Sequence, residues 1–208
     1  MNPNAMKLVL LLTGVALGAC SSTPQRHFAD EKDLGDVQAA LKRDFHARGA
    51  AQMTRLDADT VQQACNLYDN EPPEPVAKKL EAEQFAKIPF PQGNLVGDWK
   101  NGQRIAQSGR GMQWNDKPGA GGGSCYNCHQ LSAAEPSYGT IGPSLNGFGK
   151  LRGTSADMQK YAYGRIYNSK AYNVCSQMPR LGHSGTLNEQ QIKDLVGYLL
   201  DPASPVNR

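Results

Sequence analysis

The stretch Gly121–Gln130, GGGSCYNCHQ, constrains this chain more than any other feature. Cys125 and Cys128, two residues apart, with His129 following at once, suit three chemistries: a thiol–disulfide couple, half of a zinc site, or a covalent haem attachment. A redox-active pair belongs at a strand-to-helix junction, and no alternating Val/Ile-rich run precedes this one. A closed zinc site needs a second pair of ligands at short spacing, which the chain does not clearly offer. Haem attachment fits the spacing: the two thiols add to the two vinyl groups as thioethers, and the adjacent histidine is delivered beneath the iron as an axial ligand. The glycines ahead of the motif suit a backbone packed closely on a flat cofactor. The motif occurs once, so one haem c per chain is expected.

His129 then needs a partner on the other face of the iron. The methionines beyond the first 20 residues are Met53, Met112, Met158 and Met178. Met178 precedes Pro179 in CSQMPRLGHSG, and proline biases its predecessor toward an extended backbone from which a thioether can project. Met178 is the expected second iron ligand, with His183 as the alternative. The blander role for Met178 is a core gap-filler. In TIGPSLNGFG, Pro143 sits where c-type cytochromes use a backbone carbonyl to accept the proximal histidine's Nδ1–H; an ordinary proline turn is the other reading.

The N-terminal MKLVLLLTGVALGAC, from Met6, joins one lysine to an apolar run too short to span a membrane, so residues 1–20 read as an export signal. Its LGAC ending resembles a bacterial lipobox, which would make Cys20 the lipid-bearing first residue of the mature chain; simple cleavage near Ala19 is the alternative. Either route leads to the periplasm, with a lipid anchor in the first case. Of five cysteines, lipid would take Cys20 and haem Cys125 and Cys128, leaving Cys65 and Cys175. In an oxidising compartment that pair most simply forms a disulfide, tying the N-terminal part to the loop just before Met178; two unrelated buried thiols are the other possibility. With the disulfide closed, no free thiol remains as a nucleophile.

The rest of the chain reads as mainly α: a cytochrome c-like haem domain of class I over 96–208, preceded by a helical N-terminal extension over 21–95. Residues 21 to about 32 are polar. Leu34, Val37, Leu41 and Phe45 fall at helical spacing, with Gly49 as a stop. Short helices are expected over 58–68 and 76–85, separated by NEPPEP. IPFPQGN reads as a linker, and a helix follows over 98–107. From there the pattern is loops until a final helix, whose start carries Asn188 as cap, Gln191 three residues on, and a Leu187–Ile192 staple. Ile192, Leu195, Val196 and Leu199 make its apolar face. Tyr161, Tyr163, Tyr167 and Tyr172 suit either haem packing or a docking surface. Arg152 and Arg165 suit either haem propionates or solvent, and His27 and His46 are expected at the surface. A net charge of +3, without a Lys/Arg block, gives no case for nucleic acid.

Four segments together resemble a family: GGSCYNCHQL, GTIGPSLNGFGKLRG, YGRIYNSKAYNVCSQMPRLGHSG and LNEQQIKDLVGYLLDPASPVN. They look like SoxX, a cytochrome subunit of the bacterial sulfur-oxidising Sox system, over about residues 95–208 and more weakly before that. The resemblance implies a heterodimer with SoxA that acts as an L-cysteine S-thiosulfotransferase, coupling thiosulfate oxidatively to a cysteine of the carrier SoxYZ and releasing two electrons. It places the catalytic haem on SoxA. The haem of this chain, held by Cys125, Cys128, His129 and Met178, would accept those electrons and pass them to a downstream cytochrome c or other acceptor. A free-standing, lipid-anchored electron carrier serving an oxidase or dehydrogenase needs the same haem chemistry.

Overall fold

The computed structural model describes residues 31–111, 113–117, 119 and 121–208, with backbone alone for 31–34. The export signal, Cys20, His27 and Met112 lie outside the described residues. The described residues 31–42 belong to one compact unit, and residues 43–208 form another. Seven α-helices and no β-strand occur among the described residues.

Helix α1, Glu31–Asp44, ends five residues ahead of the expected stop. Gly49 instead occupies a left-handed turn (φ +51°) beside a single bridge between Arg48 and Ala51. There the Arg48 guanidinium lies 3.4 Å over the Trp114 ring, and Ala50 N donates to Trp114 O, so the turn braces the loop that leads into the cysteine motif.

Helix α2, Thr60–Leu67, starts with a reciprocal cap in which Asp59 and Gln62 each bond the other's backbone. Helix α3, Glu74–Ala86, begins after the proline pair, with Pro75 in its first turn, where a missing N–H costs nothing. The first expected span shortens and the second lengthens, each by one or two residues at either end. The larger departure lies beyond the motif, in the segment read as loops. It contains α5, Phe148–Arg152, and α6, Ala156–Tyr167. Helix α6 is buried at Ala162, Tyr163, Gly164 and Ile166, adjacent positions rather than one stripe, so no amphipathic period announces it.

The core of the second unit is built where α4, Trp99–Gln107, crosses α7, Glu189–Leu200. Glycine permits the close approach. A Cβ on Gly102 would collide with the Asp194 carbonyl, and one on Gly197 with the Gly97 carbonyl. Ile192, Leu195, Val196 and Leu199 are buried as the apolar face requires, and Asn188 with Gln191 closes the capping box. Asp194, 2 % exposed, lies off that face. Its carboxylate accepts the Asp98 amide (2.9 Å), the Asn101 side chain (2.5 Å) and the Gln190 side chain (2.8 Å), thereby capping the N-terminus of α4 from α7.

The C-terminal tail is a latch. Buried Asn207 accepts from Gly149 N (2.8 Å) and donates to the carbonyls of Leu199 (3.0 Å) and Asp201 (2.9 Å), so one amide joins α5 to the end of α7. Ser204 Oγ donates to Tyr198 O (2.5 Å), and Val206 is fully buried.

Candidate haem-binding site

Backbone hydrogen bonds tie the segment that enters the cysteine motif back to the end of α4. Gly122 N donates to Arg110 O (2.7 Å), Gly123 N to Ile105 O (2.9 Å) and Ser124 N to Ser108 O (2.9 Å). The glycine tract is therefore held by backbone bonds to α4 and the loop after it. A Cβ on Gly121 would strike the Thr186 carbonyl, one on Gly122 the Ser108 carbonyl, and one on Gly123 would stand 2.8 Å from the Cys125 sulfur. Ser124 takes a left-handed conformation (φ +48°), and its hydroxyl accepts from the Asn127 amide (2.8 Å). Cys125–Asn127 then form a short 3₁₀ turn, closed by Cys128 N donating to Cys125 O (3.1 Å), and His129 N donates to the same carbonyl (2.9 Å).

A second segment runs beside the motif. Gly139 N donates to Tyr126 O (2.9 Å), Gly142 N to Cys128 O (2.7 Å) and Leu145 N to Gln130 O (2.8 Å). The Pro143 carbonyl lies 2.7 Å from His129 Nδ1, at the position expected for it. With Nδ1–H donated there, Nε2 is the ring nitrogen left to ligate a metal. A Cβ on Gly142 would fall inside the His129 ring, so the residue before the proline must be glycine for the ring to stand as it does.

These residues fit a haem and fit poorly the other two chemistries. Burial, reinforced by Cys128, pushes the Cys125 thiol up to about 12, so it is protonated at neutral pH. A redox-active couple needs a thiol whose pKa is lowered. No group of three or more His, Cys, Asp and Glu side chains is placed to hold a metal ion among the described residues. Asn146 Oδ1, buried on the loop that carries Pro143, has no polypeptide partner, leaving a hydrogen-bonding position there for an outside group.

The remaining candidates separate by position. Met53 is 40 % exposed. Met158, on α6, and Met178 both pack against the main core, as does Cys125. Met178 is held through its backbone: Ser169 Oγ donates to its carbonyl (2.6 Å) and its amide donates to Ser176 Oγ (3.2 Å). His183 and His46 are exposed. The tyrosines are a core network rather than a docking surface. Tyr163 stacks on Tyr167 (6.2 Å, 13°), and Tyr172 meets Tyr161 (5.3 Å) and Phe85 (5.7 Å) edge-on. Arg165 belongs to that network, its Nε donating to Tyr161 Oη (3.1 Å), whereas exposed Arg152 lies over Phe148 (5.6 Å). Cys65 and Cys175 form the expected disulfide.

Residues 100–201 match the cytochrome c family. The chain carries a cytochrome c domain. Covalently bound haem c is accordingly its cofactor, and the α4–α7 crossing with its intervening motif is the class I arrangement. Over 206 residues the cytochrome is also 32 % identical to an uncharacterized lipoprotein of Aquifex aeolicus (strain VF5), covering 96 % of this chain and 98 % of that one. That likeness extends through the N-terminal extension and is not confined to the haem domain. No helix among the described residues is long and apolar enough to cross a membrane.

Sequence reasoning missed two residues that organise the site. Asp194 sets the start of α4, from whose end the motif hangs, and Asn207 ties the tail to α5. A charged residue abutting the apolar run 195–200 of the final helix, and the polar end of SPVN, were the available signals.

Proposed function

We propose that this cytochrome is the SoxX-type electron-transfer subunit of a SoxAX complex. In this reading Cys125 and Cys128 hold the haem, His129 and Met178 ligate its iron axially, and Pro143 orients His129. When bound, the haem supplies a one-electron couple, and a thioether ligand sets its potential higher than a second histidine would. The polypeptide keeps His129 in the tautomer that ligates through Nε2 and packs Met178 against the core. The observation that carries the assignment is the state of the cysteines. Cys65 and Cys175 are joined, and the other two described cysteines are those of the haem motif. A chain without a spare thiol suits the accepting side of a thiosulfotransferase, with sulfur chemistry on a SoxA partner and the cysteine of SoxYZ. Cys20 would carry the lipid that places the complex at a membrane facing the periplasm, in keeping with the lipoprotein relative.

The same relative favours a second reading, a free-standing lipid-anchored electron carrier. Purifying the tagged, haem-loaded protein from its native host in mild detergent separates the two. A near-stoichiometric haem-bearing SoxA-like chain, together with thiosulfate-dependent haem reduction only in its presence, supports the subunit. Elution alone or with an oxidase supports the carrier.

A further inference from the structure

The extension grips one segment of the haem domain, residues 168–180, at both ends and in the middle. Buried Asn168 donates to the Gln84 side chain of α3 (3.0 Å). Val174 N donates to Glu81 Oε1 (2.9 Å), again on α3. Cys175 is bonded to Cys65 of α2, and Val61, Cys65 and Val174 make a small core of their own with Ala77, Leu80 and Cys175 at its edge. Arg180, whose side chain is 13 % exposed, pairs with Asp59 at 2.6 Å. Met178 lies between the last two grips, three residues after Cys175 and two before Arg180.

We propose that α2 and α3 are a brace that holds Met178 at the haem iron, with Asp59 and Glu81 as positioning residues. The inference rests on Met178 being the second axial ligand. A thioether is a weak ligand, and its loop must swing away before an outside base can reach the iron. The apparent affinity for such a base rises in proportion to the fraction of molecules with the loop open. Each grip lost from the closed state raises that fraction. Two substitutions isolate the grip from other roles. Asp59→Asn removes the charge that pairs with Arg180 yet preserves the cap of α2, since asparagine caps as well as aspartate. Glu81→Ala leaves the Val174 amide unpaired, whereas Glu81→Gln retains an oxygen acceptor and serves as the conservative rescue.

The test titrates imidazole into the full-length, haem-loaded ferric protein and follows the weak red-edge absorption that a thioether ligand gives ferric haem. Asp59→Asn and Glu81→Ala should each bind imidazole roughly tenfold more tightly than the parent, with Glu81→Gln close to it. Amides of residues 168–180 should exchange faster in the first two variants, with the rest of the haem domain unchanged. Parental imidazole affinity in both variants, with the red-edge band lost in Met178→Ala, would overturn the brace while leaving the ligand in place. Persistence of that band in Met178→Ala would remove the ligand assignment, and the brace with it.

Discussion

The Cys65–Cys175 disulfide joins residues 110 apart in sequence, so the loop it closes includes α3, α4, the haem motif, α5 and α6. Replacing both cysteines by serine frees that loop in the unfolded chain and leaves no lone thiol behind. On the chain-entropy account a loop of this length is worth about 5 kcal/mol, against about 2–5 kcal/mol for typical losses of native disulfides. For a unit of this size, 1 kcal/mol moves Tm by roughly 2–4 °C, so the double variant should melt about 10–20 °C lower. The haem bonds do not dilute the effect, because Cys125 and Cys128 close only a short loop. Thermal unfolding is best followed by far-ultraviolet circular dichroism of the haem-loaded, ferric double variant; adding a thiol reductant to the parent would also reduce the iron. A fall of less than about 4 °C would refute the reasoning, since the freed loop would then be worth under about 2 kcal/mol.

Gly142→Ala should abolish correct haem incorporation, because its Cβ would occupy the space of the His129 ring; the pyridine haemochrome yield of purified protein measures this. Gly102→Ala forces α4 and α7 apart at their crossing and should cost about 1–3 kcal/mol in denaturant unfolding. Asn207→Ala should cost a similar amount, roughly 1–3 kcal/mol, by leaving the Gly149 amide and the Leu199 carbonyl unpaired inside the protein. Burial pushes the Asp59 carboxyl up, but the Gln62 amide and the Arg180 guanidinium outweigh it and hold it below its ordinary 3.8. A depressed carboxyl contributes stability that is fully present above 3.8 and is lost as pH falls through the lower folded value. Asp59→Asn should therefore flatten the acid limb of the stability–pH curve below about pH 4, read as the midpoint of urea unfolding.

What the sequence determined by itself was local chemistry and punctuation. Cys125, Cys128 and His129 announce their cofactor because the spacing of two thiols and an imidazole is set by covalent geometry, which no tertiary contact need supply. The cap at Asn188 likewise acts within a turn of itself, and α7 begins where that residue says it should. The pairing of Cys65 with Cys175 followed from counting. Tertiary structure decided the rest. Helix α6 was hidden because burial on several sides erases the period that marks a surface helix. The four tyrosines could be placed only once Tyr163, Tyr167 and Tyr172 had partners from α3, α6 and the segment after it. The glycines before the motif were expected to face a cofactor. Gly121 and Gly122 make room for the Thr186 and Ser108 carbonyls and Gly123 for the Cys125 sulfur, because what a missing Cβ makes room for depends on which segment arrives there. Asp194 and Asn207 show the same limit in polar form: each satisfies backbone groups far away in the chain, where sequence spacing carries no information.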